Sequence, residues 1–113
     1  SRVMALDHQA IQQRRQLNES GALHITAVMT AEGRLVAPLH ISGVGLFDQE
    51  DADDLRLIKE LEDELQGWLE GVAGTDVARD TIHLSNEISM GARRVINTAL
   101  GFKPKTTVHV VRV

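Results

Sequence analysis

Histidine is the residue type in this chain best suited to chemistry: there are five in 113 residues, and no cysteine. Neutral imidazole binds zinc and other divalent metals, and its charge changes near physiological pH. His24, His40 and His109 stand out because each lies in a segment that reads as a strand. If residues 22–30 and 35–42 form a hairpin whose loop is centred on Glu32, His24 and His40 come directly opposite each other. With Val108 and Val110 turned inward, His109 falls on the same face of a third strand. Three imidazoles on adjacent strands suggest a zinc site. Yet no carboxylate stands beside them to orient the rings, as metal-binding histidines require. The sequence therefore predicts no metal ligand here. Two readings remain: plain exposed strand residues, or a partner-facing surface made of His24, His40 and His109 together with Val28, Val36 and Val111, which share that face.

The other candidates are weaker. Asp48 to Asp54 is rich in carboxylates, but it lacks the alternating acids, following glycine and distal glutamate of a calcium loop. Acids at the start of a helix complement its dipole without any ligand. Ser85 and Ser89 have no histidine or acid at a spacing diagnostic of a hydrolase triad. Gly43-Val44-Gly45 has no third glycine, so it is not a nucleotide loop. Arg93 and Arg94 could meet an RNA phosphate, but neighbours on a helix point about 100° apart, and one of them could equally pair with the acidic helix. Tyrosine is absent and Trp68 falls on an apolar stripe, so no platform for stacking bases is expected. No catalytic or cofactor-binding residue is assigned.

These residues need elements to hold them. Residues 1–21 read as a lead-in, with Asp7 as a helix cap and a short helix through Gln16. Residues 22–30 and 35–42 alternate with period two around the turn Ala31-Glu32-Gly33, giving a hairpin. Pro38 donates no hydrogen bond, which places the second strand at a sheet edge. Gly43 to Asp48 is expected to be a loop. A helix starts near Asp51 and carries Leu55, Ile58, Leu61, Leu65, Trp68 and Leu69 at three- and four-residue steps. It breaks at Gly71 to Gly74. A second helix runs from about Asp80 to Leu100 with a stripe of Leu84, Ile88, Ala92, Val95, Ile96 and Ala99. Gly101 caps it and Pro104 prevents continuation. Lys105 to Val113, rich in β-branched residues, is a third strand. The expected fold is α/β (α+β) in the order β-β-α-α-β: a three-stranded sheet, strand order 2-1-3, with two helices packed on one face. Residues 22–113 form this domain.

Bulk composition agrees. Apolar residues make up 42 %, enough for one core in a chain of this size. No run of residues is long and apolar enough to span a membrane, and no secretion signal opens the chain. The lack of cysteine fits a reducing compartment, and a cytoplasmic protein is expected. The chain begins with Ser1 instead of Met, which suggests a piece of something larger. Net charge is −4, unfavourable for autonomous nucleic-acid binding. The charge is unevenly spread: residues 48–64 hold nine acids against Arg56 and Lys59, whereas residues 93–113 hold Arg93, Arg94, Lys103, Lys105 and Arg112 and no acid.

Several segments together resemble the end of ribonuclease J in its proteobacterial form. They are Ser1-Arg2-Val3-Met4-Ala5-Leu6-Asp7, Ile11 to Arg15, Gly21, Glu32-Gly33-Arg34-Leu35-Val36-Ala37, and the finish from Ala99 through Lys103-Pro104-Lys105 to Val113. The resemblance covers essentially the whole chain and implies the same small sheet with two helices. It also implies a parent enzyme of the metallo-β-lactamase and β-CASP type, a 5′–3′ exo- and endoribonuclease in which two zinc ions activate water for RNA hydrolysis. The metal motif of that family, His-x-His-x-Asp-His, is not in this sequence; Asp7-His8 lacks the preceding histidines. What the resemblance implies for this chain is a non-catalytic domain that supports homo-oligomer assembly and engagement of RNA by the parent. The alternative is a free-standing regulatory module that binds a ligand or partner.

Overall fold

The computed structural model describes residues 21–113; the lead-in helix expected before Gly21 lies outside them. Strand β1 (Ala22–Met29) is followed by β2 (His40–Val44), helix α1 (Ala52–Val72), a one-turn helix α2 (Asp76–Arg79), helix α3 (Thr81–Leu100) and strand β3 (Lys105–Arg112). The sheet order is β2-β1-β3, with β2 antiparallel and β3 parallel to the central strand. This is the expected architecture with one addition, α2, which fills the connection between the two long helices.

Local chemistry sets the helix ends. The Asp51 carboxylate accepts the backbone N–H of Asp53 at 2.8 Å and of Asp54 at 3.3 Å, so two of the donors left free by the first turn of α1 are satisfied. Asp80 does the same for α3 through the His83 N–H at 3.1 Å. At the other end of α3, Gly101 adopts φ 81° and returns its N–H to the Asn97 carbonyl at 2.8 Å. That left-handed conformation is open to glycine at little cost.

The core is one layer between sheet and helices. Leu23, Ile25, Ala27 and Met29 of β1 are at most 1 % exposed. They meet Leu57, Leu61, Leu65 and Leu69 of α1 and Leu84, Ile88, Ala92 and Ile96 of α3. Both helices bury a strict run of every fourth residue, the ridge that packs into a neighbouring helix's groove. This corrects the expected stripes in two places. Leu55 is half exposed and Leu57 takes its place; two residues apart on a helix, they point about 160° away from each other. Ala99 is likewise exposed, because the run ends at Ile96. Trp68 and Val95 flank the core, half-buried, and Ile58 is half-buried as well.

The hairpin is the second correction. At its tip the expected turn is present: Met29 bridges Leu35, and Thr30 and Arg34 close it with an N–H to carbonyl bond of 2.8 Å. Lower down, Thr26 faces His40, and His24 faces Ser42. Between these two points β1 advances three residues while the returning chain uses five. The extra residues fall in Val36-Ala37-Pro38, which is exposed, before Leu39 turns back into the core. Pro38 cannot donate to a ladder, so the chain leaves the sheet there and rejoins it at His40. Pairing then continues to Val44, through part of the segment expected to be loop.

Candidate functional site

The outer face of the sheet carries the residues singled out by the sequence. A slip of one residue would have turned His40 into the core, but the two extra residues preserve its facing. His24, His40 and His109 therefore do share a face, all exposed, but in a different arrangement from the expected one. His24 and His40 are not opposite. Thr26 sits between His40 on one side and His109 on the other, while His24 lies one row away between Ser42 and Thr107. His40 and His109 are thus two strand spacings apart, about 10 Å. Among the described residues no three His, Asp or Glu side chains form a group that could hold a metal ion.

Next to the His40–Thr26–His109 row is an apolar one. Val28 pairs with Val111 across the parallel ladder, and Val36 donates its N–H to the Val28 carbonyl at 3.0 Å. Val36 is 53 % exposed. At the opposite end Val44 and Lys105 flank Ala22, with Val44 also exposed. None of these strand positions holds an acid. The outer face is thus a β surface with an apolar row at one end, histidines and hydroxyls in the middle and a single lysine at the other end. Neither long helix covers it.

One end of the sheet is clamped by contacts that sequence spacing gave no hint of. Arg112, at the end of β3, donates to the Thr30 carbonyl at 2.8 Å, the Ala78 carbonyl at 2.6 Å and the Thr81 hydroxyl at 3.1 Å. One guanidinium fork thereby ties the hairpin, α2 and the start of α3 together. The hairpin tip lies so close to α2 that a side chain at Gly33, φ 87°, would overlap the Ala78 methyl. Gly74 donates to the Glu32 carbonyl at 2.8 Å. The Glu32 carboxyl is held below its ordinary range by its own backbone N–H and by the Thr30 hydroxyl, with Arg79 and Arg34 adding to the effect.

The acidic segment has structural partners. Asp54 is buried, and its Oδ2 accepts the Asp48 N–H at 2.8 Å, bracing the loop that enters α1. Arg56 pairs with Asp53, and Lys59 with Asp63 at 2.9 Å; the hydrogen bond that Lys59 donates to the Asp63 carboxylate, and the charge of that carboxylate, raise the Lys59 ammonium above its usual range. Open clefts lie among the described residues. One, of about 310 Å³, lies between the hairpin tip and the end of α1, with Gly33, Arg34, Leu69 and Glu70 in its wall. A smaller one holds Arg94 near Glu64 and Glu87, though not within ion-pair distance. Another, of about 390 Å³, is lined by Met90, Arg93, Arg94, Asn97 and Lys103. No helix among the described residues is long and apolar enough to cross a membrane.

A model of the ribonuclease J C-terminal domain family matches residues 9–113. No curated protein matches the chain.

Proposed function

The chain belongs to the ribonuclease J C-terminal domain family, and from that premise we propose that it is a non-catalytic part of a larger RNA-hydrolysing enzyme. Its own work is to hold copies of that enzyme together and to help it engage RNA. The chemistry belongs to the parent, in the cytoplasm, where two zinc ions activate a water against the phosphodiester. The observation that carries the assembly reading is the uncovered sheet face. A β surface with Val28, Val36 and Val111 in one row, beside hydroxyls and imidazoles, suits packing against a second β surface about 10 Å away. Its lack of acids removes one source of desolvation cost.

Light scattering of the chain over a range of concentrations tests this. The apparent mass should rise with concentration for the natural sequence and stay monomeric for Val28→Asp/Val111→Asp. Circular dichroism should show the same fold for both. Equal association by the two proteins, or none by either, would refute the assembly reading. The His24→Gln/His40→Gln/His109→Gln variant should melt within about 0.5 kcal/mol of the natural chain, as exposed substitutions do. Neither protein should cleave RNA when zinc, manganese or magnesium is added; turnover by the natural chain would overturn the non-catalytic reading.

A further inference from the structure

We infer that the cleft at the C-terminal half of α3 is a contact site for the phosphodiester backbone of single-stranded RNA. This deepens the RNA-engagement part of the function proposed above and rests on it. The cleft is lined by Arg93, Arg94 and Lys103 together with Asn97 and Met90, and among the described residues no acid contributes to it. From Ile88 to Val113 the sequence contains no Asp or Glu. Met90, Arg93 and Asn97 follow at helical steps along one side of α3. The turn at Gly101 brings Lys103 back beside them, and Pro104, fully buried, fixes the return.

Two simpler explanations of these cations fail. Basic residues near a helix C-terminus complement its dipole, but that effect is confined to the last turn, and the last turn of α3 holds no basic residue. Ion pairing within the fold would also explain them, yet among the described residues none of the three makes a salt bridge. Arg94 lies nearest to acids, at the border of the cleft it shares with Glu64 and Glu87. Arg93 and Lys103 have no such neighbour among the described residues in the wall of theirs.

An acidic protein surface is the competing occupant, and α1 of a second copy is the nearest example. That surface is partly neutralised from within, by Arg56 with Asp53 and Lys59 with Asp63. RNA offers uncompensated phosphates at a regular spacing. The Asn97 amide can donate to or accept from a ribose hydroxyl or a base edge, and Met90, 55 % exposed, gives a sugar or base an apolar surface. Among the described residues no aromatic ring lines the cleft, so binding is weak, strongly salt-dependent and indifferent to base sequence.

The test is fluorescence anisotropy of the chain with a labelled oligouridylate and, separately, a labelled oligoadenylate. Arg93→Glu/Lys103→Glu and the milder Arg93→Gln/Lys103→Gln are compared with a control of equal charge change, Arg56→Glu/Lys59→Glu, on the far helix. Two or three phosphate contacts predict a log–log salt slope of about −1.4 to −2. The glutamate variant of the cleft should weaken binding about tenfold or more, the glutamine variant less, and the control about twofold at most. Similar affinities for the two RNAs are expected. If the glutamate variant unfolds, the glutamine variant decides. Equal loss in the control would reduce the effect to net charge and overturn the site. Unchanged binding in both cleft variants would also overturn it, while leaving RNA engagement to another surface. No RNA binding by the natural chain would remove the inference and the RNA reading together, leaving the assembly reading to its own light-scattering test. Loss of self-association without loss of RNA binding would assign the cleft to a protein partner.

Discussion

The two faces of the sheet are built from the same three strands but have opposite fates. Along β1 the odd-numbered residues Leu23, Ile25, Ala27 and Met29 are buried under the helices, while the even-numbered His24, Thr26 and Val28 are exposed or half-buried. Along β1 the inner side is continuous hydrocarbon, whereas the outer face of the sheet mixes valine, threonine and histidine. Packing thus fixes the identity of the inner residues through volume and dryness, and leaves the outer ones free to serve something outside the fold. The contrast fades at the edge. Inward residues Thr106, Val108 and Val110 of β3 are only half-buried, because an edge strand has no neighbour on one side.

The largest effect that would test this contrast is a charge placed inside it. Leu61→Asp puts a carboxylate where the natural residue has no exposure. It should cost more than the 2–5 kcal/mol typical of truncating a buried leucine, about the whole stability of a small domain. Loss of the cooperative thermal transition is the expected result, whereas Val111→Asp on the outer face should keep it. Survival of Leu61→Asp with an unchanged melt would show that the helix faces are wrongly assigned.

Gly33→Ala should have an intermediate effect. It forces a side chain into a positive-φ position and against Ala78. A loss of roughly 1–3 kcal/mol is expected, read as a lower melting temperature with the same final fold. The smallest effect concerns Glu32. A carboxyl whose folded pKa is depressed adds stability above its unfolded pKa, and that contribution is lost as pH falls through the folded value. Because Glu32 is exposed, the effect is slight. Glu32→Gln should melt marginally below the natural chain at neutral pH and coincide with it in acid. A gap that widened on acidification would contradict the hydrogen bonding described for the hairpin tip.

Much of this was legible in the residues themselves. Period-two alternation marked β1, a run of β-branched residues marked β3, Asp51 and Asp80 marked helix starts, and Gly101 with Pro104 marked a stop, since each signal acts within a few residues of where it is read. The misplacements share one cause. Leu55 and Leu57 are both apolar, and only the direction of the neighbouring helix and sheet decides which is buried. Likewise Pro38 announced an edge strand but not how many residues the chain would spend in leaving the ladder, so the facing of His40 was readable and its partner was not.

The sequence by itself determined the elements, their order and the faces that had to be dry, because propensity, capping and hydrophobic period are local properties of the chain. Only the tertiary structure decided which side chains became neighbours. Arg112 reaches Thr30, 82 residues away in sequence; Lys103 returns beside Arg93; and Thr26 separates His40 from His109. These are consequences of register and of a chain folded back on itself, and no spacing along the sequence encodes them.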